Sequence, residues 1–308
     1  MSSPHVPQRQ GLDQTQLATL AAVIACISWG MFGLYFKILD QVSPLEILSH
    51  RILWSVGLLA ILITVLNKWP EIIPILRSPK RLAIYALSAL LISVNWGMYI
   101  YAVTSGQALE ASMGYFIMPL VAVMLGGIFF AERFSKPQLA AIALAVVGVI
   151  YQVVFYGSPP WIALCLAFSF GFYGMIRKKA EADAISGLFL ETLLISPLAL
   201  GFMAYAAHQG ELFYLTAGWD FKALLMFAGV VTTFPLVLFA YGARHLRYST
   251  VGIIQYINPS AQFLIAVFIF GEAFTLHTLI TFACIWAALL LYSQNSYAQS
   301  RRNKRANS

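Results

Sequence analysis

Charge is scarce in this 308-residue chain: charged side chains make up 10% of it and hydrophobic ones 60%, against about 25% and about 45–50% in soluble domains. Too little polar surface exists to cover a water-soluble globule of that length, so the chain is an integral membrane protein. Cysteine is scarcer still, with three in the chain. Cys26, Cys165 and Cys284 each sit inside an apolar run rather than at paired loop positions, which argues against a disulfide framework or a cysteine metal cluster and leaves them as small packing residues. Neither a G-x-x-x-x-G-K-[S/T] phosphate loop nor an H-E-x-x-H pair occurs, so ATP-driven work or zinc chemistry is not expected, and no cofactor or metal is implied.

What the chain has in abundance is apolar runs of spanning length, about 20 residues each. Ten qualify, at about 17–38, 45–66, 82–103, 111–131, 137–155, 160–177, 186–207, 221–243, 250–271 and 277–294. The first follows a polar tail, residues 1–16, and lacks a small-x-small cleavage site, so it is read as a retained span rather than a signal peptide. The link "YGSPP" at 156–160 is so short that it predicts an antiparallel pairing of the fifth and sixth spans. Of 19 Lys and Arg, 16 fall in the tails and alternate loops of one side, the exceptions being Lys37, Arg51 and Lys222. That side is expected to be the cytoplasm, with both termini on it. The net charge of +7 and pI near 9.3 are accounted for by these scattered loops, and no nucleic-acid partner is expected. The basic tail at 295–308 is read as a solvated, lipid-facing end.

The chain also repeats itself. "SWGMFG" at 28–33 matches "SFGFYG" at 169–174, "YFIMP" at 115–119 matches "QYINP" at 255–259, and Glu132-x-Phe134 matches Glu272-x-Phe274, all at offsets of 140 or 141. Residues 17–155 and 160–294 therefore read as two five-span halves. Five is odd, so the second half must start on the opposite face from the first, and the fold expected is all-α, ten transmembrane helices in two inverted repeats. Such halves generally rock about a mid-bilayer solute site.

Candidate site residues are the polar groups inside these spans. Glu46, His50 and Arg51 interrupt the second span; Glu46 and His50 are spaced i,i+4 with Trp54 one turn further on. Burying an arginine there costs at least about 2.5–3.5 kcal/mol, so Arg51 should face a cavity or find a partner. Structural alternatives exist for each: a helix N-terminal anion after Ser43-Pro44 for Glu46, a packing role for His50, snorkelling for Arg51. Glu191, in the seventh span, is a candidate for proton coupling alongside Glu46 and His50, because a carboxylate left unpaired there would be driven toward its protonated form; its structural alternative is a helix N-terminal anion. Asn95, Trp96 and Tyr99 lie near the middle of the third span. Pro119 and Pro259 free the carbonyls of Tyr115 and Gln255, and Tyr256 and Asn258 adjoin the second of these. Lys37 is read as snorkelling, and Glu132 and Glu272 as end-capping carboxylates.

The ordered set "SHRILWS", "NWGMYIYAV", "LEASMGYFIMPL", "FFAERF", "FYGMIRKK", "VTTFPL" and "GIIQYINP" resembles the RarD subfamily of EamA-type drug/metabolite transporters, over about residues 17–294. The resemblance implies ten helices around a central substrate cavity, alternating access and export across the inner membrane of bacteria. It places His50, Arg51, Trp54, Asn95, Trp96, Tyr115 and Tyr256 in that cavity. Met118 stands where the second half has Asn258, a departure from polar pairing across the repeat axis.

The function expected is secondary transport of small amphipathic or aromatic metabolites. Arg51 would attract an anionic group, Trp54, Trp96 and Tyr99 would supply stacking surface, and protons or another coupling ion would be partners beside the solute and the lipid bilayer. Two other classes remain open: a membrane enzyme using Glu46 and His50 as acid and base on a lipid-linked substrate, and a receptor or scaffold. Turnover without transmembrane movement marks the first, and binding without flux or turnover the second. Oligomeric state is not legible.

Overall fold

Helix starts follow proline and the small polar residue before it. Ser43-Pro44 opens one helix and Ser78-Pro79 another; proline is tolerated there because a first-turn N–H has no intrahelical acceptor. Asp183 caps a third, its carboxylate accepting the Ser186 N–H at 2.8 Å, and that helix stops at Gly210, whose φ of 75° suits a residue without a Cβ.

The computed structural model describes residues 14–130, 136–156, 159–178, 180, 182–246, 251 and 254–306. Its helices are α1 (Gln14–Gly30), α2 (Phe32–Ile38), α3 (Pro44–Val65), α4 (Trp69–Leu76), α5 (Pro79–Thr104), α6 (Ala108–Phe130), α7 (Lys136–Tyr156), α8 (Trp161–Lys178), α9 (Ala184–Gln209), α10 (Phe213–Thr216), α11 (Trp219–His245), α12 (Ile257–Leu264, continuing as a π-helical turn through Ile269) and α13 (Leu276–Ala306). No strand occurs among the described residues. Among the described residues six helices are long and apolar enough to cross a bilayer: Gln14–Ile38 (α1 with α2), Pro44–Val65, Pro79–Thr104, Lys136–Phe155, Ala184–Gln209 and Trp219–Ala243. Four further apolar stretches, Ala108–Ala122, Trp161–Arg177, Ile257–Ile269 and Leu276–Leu291, are shorter.

In a bilayer, lipid tails are as apolar as leucine, so small residues that let backbones touch decide which helices pair. A Cβ at Gly114 would stand 2.8 Å from the Ala163 carbonyl oxygen, and one at Gly148 would stand 2.9 Å from the Cys284 Cβ. Accordingly α6 lies against α8, and α7 against α13. This overturns the pairing expected from the short link at 156–160: α7 has α13 as its chief neighbour, while α8 has α6 and α5. Connection length is overruled by backbone fit. At the centre, α3 touches α5, α9 and α11, so its polar residues are enclosed by both halves of the sequence. The three cysteines are free, Cys26 fully buried.

Three glutamates stitch the halves together. Glu46 accepts the N–H groups of Phe213 at 3.0 Å and Tyr214 at 2.7 Å, at the start of α10. Glu110 accepts those of Ile162 at 2.9 Å and Ala163 at 3.4 Å, at the start of α8. Glu272 accepts those of Ala108 and Leu109, both at 2.7 Å, at the start of α6. The first N–H groups of a helix have no partner within it and attract anions, and in hydrocarbon only protein can satisfy them. Glu132, the repeat counterpart of Glu272, lies outside the described residues. Replacing Glu272 with alanine strands two amides, at about 1–3 kcal/mol for each buried group left unsatisfied. Its thermal midpoint in detergent should fall clearly, with Glu272→Gln in between; an unchanged midpoint for the alanine variant would remove the cap from the account.

Candidate functional site

Arg51 is placed by a close approach of two helices. A Cβ at Gly229 of α11 would meet the backbone carbon and oxygen of Trp54 at 2.7 and 2.8 Å, so only glycine lets α3 and α11 come this near. One turn along α11 from that contact, the Thr232 hydroxyl accepts the Arg51 Nε–H at 2.9 Å. The guanidinium carbon lies 4.1 Å from the Trp96 ring centroid, with Phe32 at 5.5 Å and Phe36 at 5.8 Å, a cation–π box that is strongest when desolvated. Arg51 is 5% exposed. Among the described residues no carboxylate lies within ion-pairing distance of it; the ionisable groups whose fields reach it are the phenols of Tyr115, Tyr35 and Tyr99. Gly229→Ala should push α3 and α11 apart and draw Thr232 off Arg51, cutting solute binding about tenfold or more and lowering stability by about 1–3 kcal/mol, the usual cost of overpacking. Wild-type binding and melting in that variant would mean the close approach is not needed.

The neighbouring aromatics are themselves anchored. Tyr35 donates to the Leu224 carbonyl at 2.7 Å. Tyr99 lies edge-on to Phe36 and Tyr115, at 6.0 and 5.7 Å between centroids. Tyr115 donates to Asn95 Oδ1 at 3.3 Å, while Asn95 Nδ2 donates to the Leu166 carbonyl at 2.9 Å and Ser169 Oγ at 3.1 Å. Asn95 thus ties α5 to α8 and α6. Both of its N–H groups are occupied, and it braces the box.

Other expected members stand elsewhere. Glu46 is buried, and both of its oxygens face the N-terminus of α10, the place of a cap. His50 Nδ1 accepts the Trp54 indole N–H at 3.2 Å, its ring sits 4.7 Å from that of Tyr214, and its Nε2 is buried without a partner. The face shared by His50 and Trp54 is therefore real.

Gln255 is exposed, in the turn before α12. Its carbonyl, expected to be free because of Pro259, accepts the Asn258 N–H at 3.2 Å, and Asn258 Oδ1 accepts from Gln262 at 2.8 Å. Tyr256 lines an apolar groove of about 470 Å³ with Phe116, Ser260, Phe263 and Trp286. That groove has no charged wall and shares no residue with the Arg51 box, so Gln255, Tyr256 and Asn258 are not brought to it. The physical reason is that α12 packs on α1 and α6, away from α3.

Glu191 has protein partners. It is fully buried, and its Oε1 accepts from Ser88 Oγ at 2.6 Å and lies 3.5 Å from Arg177 Nε, while Oε2 accepts from Tyr173 at 3.2 Å. Arg177 also donates to the Asp183 carbonyl at 2.9 Å. Around this pair Lys68 binds Asp183 and lies 3.8 Å from Glu71, Ser186 donates to Glu71 at 3.4 Å, and the Ala182 N–H donates to Tyr85 at 2.9 Å. Burial pushes the Asp183 carboxyl up, but hydrogen bonds from Lys68 and Ser186 outweigh it and hold the group below the usual aspartate value. This seam joins α4 and α5 to α8 and α9, at the end of the bundle that carries Lys68 and Arg177.

Tyr35 and Phe36 were not singled out from sequence, and Phe32, Arg177 and Thr232 stood there only inside the stretches SWGMFG, FYGMIRKK and VTTFPL. The repeat held one usable signal, since adding 140 to position 51 gives 191. Arg51 and Glu191 are the same position of the two halves, with opposite charge and different company.

Two stretches of the chain, residues 16–154 and 159–294, match the model of the EamA-like transporter family. An uncharacterized transporter of Vibrio cholerae is 44% identical over 287 residues, covering 93% of this chain and 95% of that protein. RarD of Salmonella typhi is 42% identical over 289 residues, covering 94% and 98%, and RarD of Escherichia coli K12 is 40% identical over 292 residues, covering 94% and 99%. One solved crystal structure superposes with a TM-score of 0.56 at 16% identity, covering 89% of this chain and 96% of that one, a likeness of fold.

Proposed function

The chain belongs to the EamA-like transporter family, and from that premise we propose that it is a secondary carrier of small amphipathic or aromatic solutes bearing a carboxylate. It works by alternating access in a bacterial inner membrane, with ten spans in two inverted five-span halves and both termini in the cytoplasm. One observation carries the reading. Arg51 is a buried cation stacked on Trp96 with no carboxylate beside it among the described residues, whereas the half-buried Arg177 has Glu191. An arginine enclosed at this depth without a counter-ion is a place for a solute's anion to complete the charge. Trp96 and Tyr99 supply the apolar walls.

Gradient energy fits the lack of a phosphate loop. Of the three residues expected to carry a proton, His50 is the one with an unpartnered ring nitrogen, while Glu46 and Glu191 are held by capping and ion pairing. The direct test is to identify the solute by metabolite profiling of deletion and overexpression strains, then follow its movement in proteoliposomes under an imposed pH gradient. Gradient-driven flux is the expected result. Binding without flux would make the protein a receptor, and chemical turnover without movement an enzyme.

A further inference from the structure

We propose that Thr232 is a positioning residue that sets the Arg51 guanidinium to grip a planar monoanion, a carboxylate, end-on through its two terminal nitrogens; this rests on the reading of Arg51 as the solute anchor. Thr232 is buried on α11, and its own hydroxyl proton goes to the Ala228 carbonyl at 2.9 Å. What the oxygen offers Arg51 is therefore a lone pair, which receives Nε–H at 2.9 Å.

A guanidinium can hold a carboxylate by two parallel bonds in two ways, side-on through Nε and one terminal nitrogen, or end-on through both terminal nitrogens. Thr232 occupies the Nε edge. Trp96 covers one face at 4.1 Å, so rotation of the planar group is restrained by stacking as well as by the hydrogen bond. The terminal pair of N–H groups is the edge left for a ligand. One positive charge among phenols and phenyl rings matches a single negative charge; a phosphate dianion would be left half-neutralised in a low-dielectric site.

Valine at 232 keeps the shape and removes the acceptor. Nε–H then lacks a partner, and the guanidinium is free to turn about its last torsion. Serine keeps the oxygen. This separates a positioning hydroxyl from a packing methyl.

The experiment uses the full-length protein in lipid nanodiscs, titrated with benzoate and with benzamide, its neutral counterpart, following tryptophan fluorescence. Wild type should give a saturable response to benzoate and none to benzamide. Thr232→Val should weaken benzoate about tenfold, Thr232→Ser should stay within about twofold of wild type, and Arg51→Ala should not respond. If Thr232→Val does not fold, Thr232→Ala carries the same expectation.

Unchanged benzoate affinity in Thr232→Val, with Arg51→Ala silent, overturns the role of Thr232 and leaves the anchor standing. Serine as weak as valine overturns the hydroxyl's part. Equal binding of benzamide, or no benzoate response in wild type, overturns the carboxylate. Wild-type affinity in Arg51→Ala sinks the anchor itself.

Discussion

With Arg51 replaced by alanine, flux of the solute is expected to fall on the order of a hundredfold or more, while the amount of folded protein in the membrane stays near wild type. A charge-assisted pair in a desolvated site is worth several kcal/mol when one partner is truncated, about 2–5 for buried hydrogen-bonded charges. The stability side of the prediction is as specific. Among the described residues Arg51 has one protein hydrogen bond, to Thr232, and its stacking on Trp96, set against a cost of at least about 2.5–3.5 kcal/mol for holding a cation at that depth. Deleting it strands no buried carboxylate, so the fold has little to lose. Arg51→Lys keeps the charge without the planar fork or the Nε edge, and should recover only part of the flux. Proteoliposome uptake compared with the melting midpoint in detergent separates the two effects. Full flux in Arg51→Ala would end the assignment.

Glu191→Ala should behave in the opposite way, losing stability first. It leaves Arg177 facing an empty place beside Ser88 and Tyr173, and breaking one side of a buried ion pair costs about 3–5 kcal/mol. The double replacement Glu191→Leu with Arg177→Met removes both charges and should melt nearer to wild type than either single variant, a coupling that a double-mutant cycle measures directly. If Glu191→Ala instead melted as wild type but lost only pH-gradient-driven flux, Glu191 would be a proton carrier and the ion pair incidental. Arg51 and Glu191 occupy the same position of the two halves, so these variants ask one question twice. The expected outcome is that the charge with a protein partner shows in the melting midpoint and the one without it in the flux.

His50 and Trp54 were legible in advance because i,i+4 spacing is a property of a single helix, and their hydrogen bond at 3.2 Å follows from it. Arg51 was legible for a similar reason, as a cation far inside an apolar run. Glu46 has the same spacing to His50, yet its oxygens turn to Phe213 and Tyr214, which lie more than 160 residues on in the chain. Gln255 and Tyr115 are repeat equivalents, yet one ends in an exposed turn and the other against Asn95, because α12 and α6 meet different neighbours.

Composition and hydrophobic run length alone establish a multi-pass membrane protein, and the positions of ionisable groups within those runs show where charge has been carried into hydrocarbon. These are local properties, readable one segment at a time. Whether each buried charge is answered by protein or left for a solute depends on which helices touch. In a bilayer that is settled by contacts such as Gly229 against Trp54, where the fit of two distant backbones, rather than any pattern along either one, brings Thr232 to Arg51 and leaves Glu191 with Arg177.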